Sequence, residues 1–228
     1  MNIKEILFTA ITREPDPREE GIHVTQVAKL LKPAGSPNEE GCKRQIYYEL
    51  TEPYSPHDSE SAMVFFRGQA FHRELAYRFS KMGWETEQRT TDANLIGTFD
   101  AYHPLEHVLV DFKTATFVPK NEEDFKKYYG HYITQVRLYA AQLIKSGRPV
   151  TEIHIVFIGV GNEEFRLKDI KTFPVSFTAD VLSTLYVAAS NLVTEIQSML
   201  IMGKTPPRNA GWPCTYCSFL VKCYSEKP

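Results

Sequence analysis

The sequence contains no apolar run near the length needed to cross a bilayer, which argues against a helical membrane protein. Its opening, Met-Asn-Ile-Lys-Glu-Ile-Leu-Phe-Thr-Ala, lacks the sustained apolar stretch of a secretory signal because Glu5 interrupts it. A soluble, cytoplasmic protein is therefore expected. Neither sign of charge dominates, since 26 Lys and Arg stand against 28 Asp and Glu for a net charge of −2. That balance excludes a generic polyanion-coating protein and leaves room for a local basic groove. There is no internal repeat and no low-complexity segment, so neither a solenoid nor a disordered tail is expected. Cysteine is scarce, with four in 228 residues, and three of these fall in the last fifteen. Such clustering without a secretory signal disfavours a disulfide scaffold and favours metal or cluster ligation.

What remains is ordinary globular composition, 43% hydrophobic and 24% charged, in a chain long enough to bury a full core. We read residues 1–228 as one α/β domain in three parts. Residues 1–59 carry Cys42, residues 60–202 form the core, and residues 203–228 hold the cysteine cluster. Residues 1–22 mix a short apolar start with a proline-rich charged loop. Val24, Val27, Leu30 and Leu31 recur at helical spacing, with Thr25 near the N-cap and Lys32-Pro33 and Gly35 ending the element. A short helix follows Cys42, then a loop over residues 53–59. Residues 60–82 form a long helix whose apolar stripe is Met63, Phe66, Ala70, Phe71, Leu75 and Phe79. Strands are expected over 84–90, 94–102, 107–113, 151–160 and 165–175, and helices over 125–145 and 178–202.

The stretch Gly97 to Thr114 organises this core. It alternates, breaks at His103-Pro104 and resumes as an apolar strand, so a hairpin can bring Asp100 close to Asp111. Two adjacent carboxylates repel unless a divalent cation lies between them, and hard oxygen ligands suit magnesium or manganese. Lys113 shares the strand face of Asp111, where an ammonium can orient water or balance charge on a phosphate. An isolated Asp-x-Lys is also what a surface ion pair looks like. On the following helix Gln135 and Tyr139 are four apart and share a face. His72 is either a satisfied boundary histidine or a nitrogen ligand completing the acidic site.

Cys214-x-x-Cys217-x5-Cys223 places three thiolates within a short tail, and Cys42 is the only other cysteine. Zinc and an iron–sulfur cluster both remain open from spacing alone. Lys43, Arg44, Arg67, Arg73, Lys120, Lys126, Lys127 and Arg137 flank these elements, with Phe117, Tyr128, Tyr129 and Tyr132 nearby. Cations with aromatics suit a single-stranded backbone with stacked bases, and they equally suit an ordinary solvated surface.

The ordered set Gly68-x-x-x-His72, Gly97-x-x-Asp100, Asp111-x-Lys113, Gln135-x-x-x-Tyr139 and the cysteines resembles the RecB-like nucleases of the PD-(D/E)XK superfamily. It looks most like their iron–sulfur members, the CRISPR-associated protein four exonucleases, with helicase-linked AddB-type nucleases sharing the cysteine pattern. The resemblance runs from Cys42 to Cys223. It implies a central mixed sheet flanked by helices, with an iron–sulfur cap built from both chain ends. It implies a four-iron, four-sulfur cluster on Cys42, Cys214, Cys217 and Cys223. It further implies magnesium or manganese held by His72, Asp100, Asp111 and the main-chain carbonyl of Phe112, with Lys113, Gln135 and Tyr139 completing the catalytic site. The implied activity is 5′ to 3′ exonuclease action on single-stranded DNA, in CRISPR adaptation beside integrase proteins, antiviral defence, or recombination of viral and mobile DNA. Asp111 stands where many CRISPR-associated members carry glutamate, which blurs the subfamily. A non-catalytic DNA-binding adaptor or decoy on the same fold is the alternative.

Overall fold

The structure, a computed structural model, describes residues 21–52, 59–92, 94–160, 170–209, 214 and 217–226; the side chains of residues 59–65 lie outside the description. β1 (Ile22–His23) leads into α1 (Val24–Leu30), followed by α2 (Lys43–Thr51) and α3 (Ser59–Lys81). β2 (Glu85–Asp92), β3 (Leu95–His103) and β4 (Val108–Ala115) form an antiparallel meander. α4 (Glu122–Tyr128) and α5 (Gly130–Lys145) then lead to β5 (Glu152–Gly159), which lies parallel to β4, and β6 (Ile170–Pro174) returns antiparallel to it. α6 (Ala179–Ile201) and α7 (Leu220–Ser225) follow.

The period of two in the strands sorts the core onto two faces. Leu109, Ile153, Ile155 and Phe157 point to the side covered by α5, where Val136, Leu138 and Leu143 are fully buried and Leu185, Val193 and Ile196 of α6 pack behind them. Ala101, Val110, Phe112 and Ile158 point to the other side, where Leu75 and Phe79 of α3 and Trp84 cover them. The result is a six-stranded mixed sheet between helices, the expected α/β architecture.

β3 is paired unevenly. β2 runs along one of its edges, from Leu95 opposite Asp92 to Tyr102 opposite Glu85. The other edge is divided, because β1 takes Leu95 and Ile96 in parallel while β4 takes only Ala101, Tyr102 and His103. Gly97 to Asp100 therefore lack a ladder partner on that edge among the described residues.

Several local expectations change. Thr25 lies inside α1, and His23 is the N-cap residue, its backbone N–H donating to Gln26 Oε1 at 2.7 Å. β1 was not anticipated, since two residues carry no periodicity. The expected helix over 125–145 is two helices broken at Tyr129, whose φ of −119° and ψ of 25° are not helical. β6 ends at Pro174, the residue expected to close it; residues 165–169 of that expected strand lie outside the described residues, as do residues 1–20. The apolar stripe of α3 divides as well, because Phe79 meets Phe112 at 4.9 Å between ring centroids while Phe66 and Phe71 stay 39% and 40% exposed. Its Met63 side chain lies outside the description.

Gly97 lets the layers close over the divided edge. A Cβ there would stand 2.5 Å from Tyr139 Cε1 and 2.9 Å from Val24 Cγ2. Gly97→Ala is expected to destabilise the fold by about 1–3 kcal/mol through overpacking, read as a lowered urea midpoint with unchanged slope.

Candidate active site

Asp100 stands where the β3–β4 ladder stops. Continuing the register of Ala101 with Val110 sets Asp100 opposite Asp111. The ladder does not continue, because the Phe112 N–H donates to Asp100 Oδ2 at 2.6 Å. A side chain thus replaces a backbone acceptor, and the strands separate at that point. The opening lets groups from both faces of the sheet meet. From the α3 side, His72 Nδ1 lies 3.4 Å from Asp100 Oδ1. From the α5 side, Asp111 carries Lys113 Nζ at 2.8 Å from its Oδ2 and the Gln135 amide at 3.4 Å from its Oδ1. Gln135 also donates to Tyr139 Oη at 3.2 Å, so the two helical residues share one site as their spacing predicts.

Asp111 is 1% exposed. Burial pushes its carboxyl up to about 6 against the pull of the Lys113 ammonium, and the neighbouring Asp100 charge pushes the same way. Burial alone would pull Lys113 down, but the charges of Asp111 and Asp100 overcome it and hold the ammonium above its ordinary range. Lys113 also lies 4.7 Å from the ring centre of Tyr132. The His72 pKa is raised, first by its contact with Asp100. The Lys113 ammonium is the ion-pair partner of Asp111 Oδ2, and this buried oxygen has no further partner among the described residues. A buried carboxylate oxygen balanced by a single ammonium, among oxygen and imidazole donors, fits a divalent cation.

Glu87 was missed by the sequence reading. Its carboxylate, that of Asp100 and the His72 ring each offer an atom within 4.8 Å of one another. The only local signal was a glutamate in a strand beside the Asp100 strand, and the pairing register that brings them together is not written locally. Phe112 donates its N–H to Asp100 and packs its ring against Phe79, while Gly68 lies beneath the site with Thr114 Oγ1 3.5 Å from where its Cβ would stand.

Tyr132, beside Lys113, and its neighbour Tyr129 are half-buried against Phe157 of the core. Tyr129 and Tyr132 stack at 5.8 Å with 18° between planes, and Phe117 is 83% exposed. Several of the expected groove cations are instead structural. Arg137 binds the carbonyls of Pro33 and Ser176, Lys43 pairs with Glu195, and Lys126 pairs with Glu122.

All four cysteines line one cavity beside Arg44, Tyr48 and Arg208. The Arg44 Nη1 lies 3.6 Å from Cys223 Sγ, and the Nε atoms of Arg44 and Arg208 are buried without hydrogen-bond partners. Burial raises the Cys217 thiol pKa, as do the other three cysteines. No three of the thiols approach within 4.8 Å of one another, since among the described residues only His72, Glu87 and Asp100 do so.

The sheet thus opens to join paired carboxylates, a lysine and a histidine. In a comparison of solved structures the chain is similar to SSO0001, with 17% identity and a TM-score of 0.55 over 100% of this chain and 99% of that one. It is also similar to a phage-related exonuclease from Haemophilus somnus 129PT, with 13% identity and a TM-score of 0.56 over 82% of this chain and 97% of that one. A third is LHK-Exo, solved in complex with dAMP, with 16% identity and a TM-score of 0.53 over 87% and 95% of the two chains. At these identities the likeness is one of fold, the mixed sheet with flanking helices. A scan of protein-family models and a search of curated proteins each found no match.

The metal-free protein should lose stability as pH rises. Asp111 titrates at about 6 when folded against an ordinary 3.8, so between those values the folded state binds more protons than the unfolded chain. His72 acts in the same sense: its raised folded pKa supplies stability that is complete below 6.5 and is lost as pH climbs past the folded value. Melts in EDTA should therefore show a falling Tm, and Asp111→Asn should remove the part lost between about pH 4 and about pH 6.

Proposed function

We propose that the chain is a divalent-metal-dependent nuclease that shortens DNA from an end, acting on single strands in the 5′ to 3′ direction. The meeting of Asp100, Asp111, Lys113 and His72 at the divided edge of β3 carries this reading. His72, Asp100, Asp111 and the Phe112 carbonyl would hold magnesium or manganese. When bound, such an ion lowers the pKa of water and neutralises charge on phosphoryl oxygens.

The chain's own groups supply the rest. Lys113 stays an ammonium at neutral pH, so its part is to hold the water or stabilise the charged phosphoryl oxygens rather than to take a proton. Gln135 orients Asp111 from behind through its amide, and Tyr139 accepts from that amide and keeps it turned inward. Asp100 is held by the Phe112 N–H, which aims its other oxygen toward His72. The Tyr129–Tyr132 stack and the exposed Phe117 beside Lys113 favour single strands, whose unpaired bases can lie on aromatic faces.

We also propose a four-iron, four-sulfur cluster on Cys42, Cys214, Cys217 and Cys223. The lining of one cavity by all four thiols supports this reading, and the buried, unpartnered Nε atoms of Arg44 and Arg208 beside it suit an anionic group. Its role is structural: Cys42 opens α2 and the other three lie on the C-terminal tail, so ligation ties the two regions together. CRISPR adaptation and viral or mobile-element recombination both suit such an enzyme, with integrase proteins as partners in the first case; the cysteine resemblance alone supports this context. No helix among the described residues is long and apolar enough to cross a membrane.

End-labelled single-stranded DNA incubated with manganese or magnesium should shorten, and EDTA should abolish this. Lys113→Ala and Asp111→Asn should each lower the rate on the order of a hundredfold or more. DNA bound but left intact by the wild-type protein would favour a non-catalytic adaptor. Protein purified without oxygen should absorb near roughly 400 nm, and Cys217→Ser should lose that band and melt at a lower temperature. A colourless, zinc-loaded wild type would overturn the cluster.

A further inference from the structure

Glu87 combines two unfavourable features that nothing else in the strand requires. The β2–β3 ladder pairs Thr86 with Ala101 and Gln88 with Phe99, leaving Glu87 across from Asp100 without a bridge of its own. Like charges set opposite each other on neighbouring strands repel. Its backbone is also left-handed, with φ of 50°. Among the described residues the other non-glycine positions with positive φ are Asn94 and His107, which lie in the turns either side of β3. Glu87 alone adopts that conformation inside a strand, where an ordinary side chain gains nothing from it.

Both features serve one outcome, a carboxylate beside His72 and Asp100. The charge of the buried Asp111, whose Oδ2 has Lys113 Nζ at 2.8 Å as its ion-pair partner, is felt at both His72 and Glu87. Three carboxylates and the Lys113 ammonium leave two negative charges with His72 neutral, the complement of one divalent cation. Without Glu87 the balance would be a single negative charge.

We propose that Glu87 is a third carboxylate ligand of the divalent cation held by His72, Asp100 and Asp111. This deepens the nuclease reading and takes the cation's location from it, while the binding itself is testable apart from DNA cleavage. Bound metal relieves the repulsion between Glu87 and Asp100 and repays the strained backbone, so the strain is the mark of a residue held for its ligand.

The test is calorimetric titration of manganese into metal-free wild type, Glu87→Gln and Glu87→Gly, with Asp100→Asn as the reference for a lost ligand. Each variant is melted in EDTA and in excess manganese. Glu87→Gln is expected to weaken manganese binding by about tenfold or more. Both variants should melt higher than wild type in EDTA, because repulsion is gone, and gain less from manganese. Glycine also accepts the left-handed backbone, so Glu87→Gly reads the same ligand loss should Glu87→Gln fold poorly. Manganese binding equal to wild type in either folded variant overturns the proposal. The nuclease reading is judged separately on end-labelled DNA. A wild type that binds manganese through Glu87 yet leaves DNA intact retires the nuclease and keeps the ligand. One that degrades DNA while Glu87→Gln binds manganese normally does the reverse.

Discussion

The hydrogen bond from the Phe112 N–H to Asp100 Oδ2 is the contact on which the site depends. In an uninterrupted hairpin that N–H would bond a backbone carbonyl of β3, and a sealed sheet would keep the α3 and α5 faces apart. Here the bond goes to a side chain, so the buried amide is still satisfied while the strands separate. Through that opening His72 reaches Asp100 from one face, and Asp111, Lys113 and Gln135 approach from the other. Gly97 belongs to the same arrangement, since only a residue without a Cβ lets Tyr139 and Val24 close over the unpaired stretch.

The electrostatics follow from the same opening. Asp111 is buried deeply enough that its charged form is disfavoured, and the Lys113 ammonium compensates only in part. A buried carboxylate oxygen in this state is unfavourable in the metal-free molecule and favourable as soon as a cation arrives. The proposed metal site therefore sets stability against function at the centre of the sheet. The apolar layers behind it, from Phe157 and Leu138 to Val193, supply the stability that tolerates this.

The chain ends are organised by a different chemistry. Arg44 is 5% exposed and reaches Glu226, whose carboxylate also accepts from Tyr48 at 2.6 Å; Lys222 pairs with Glu52 at 2.5 Å. Asn209 donates to the carbonyls of Glu39 and Gly41, and Arg208 donates to the Glu226 carbonyl. These bonds join α2 to the tail independently of the thiols, so the cysteine cavity is assembled by the protein's own polar contacts.

By itself the sequence determined the elements whose period is local. The alternation of β4 put Asp111 and Lys113 on one face, the spacing of four put Gln135 and Tyr139 on another, and His103-Pro104 marked the turn between β3 and β4, because these relations are set by backbone geometry over a few residues. Tertiary structure decided which of those groups meet. The end of the β3–β4 ladder at Asp100, the register that turns Glu87 toward Asp100, the break at Tyr129 and the diversion of Arg137 to carbonyls of Pro33 and Ser176 all depend on which distant groups compete for the same hydrogen bonds. A local pattern states what a residue offers. Long-range register and packing decide what accepts it, and neither is encoded within the span of a helix turn or a strand repeat.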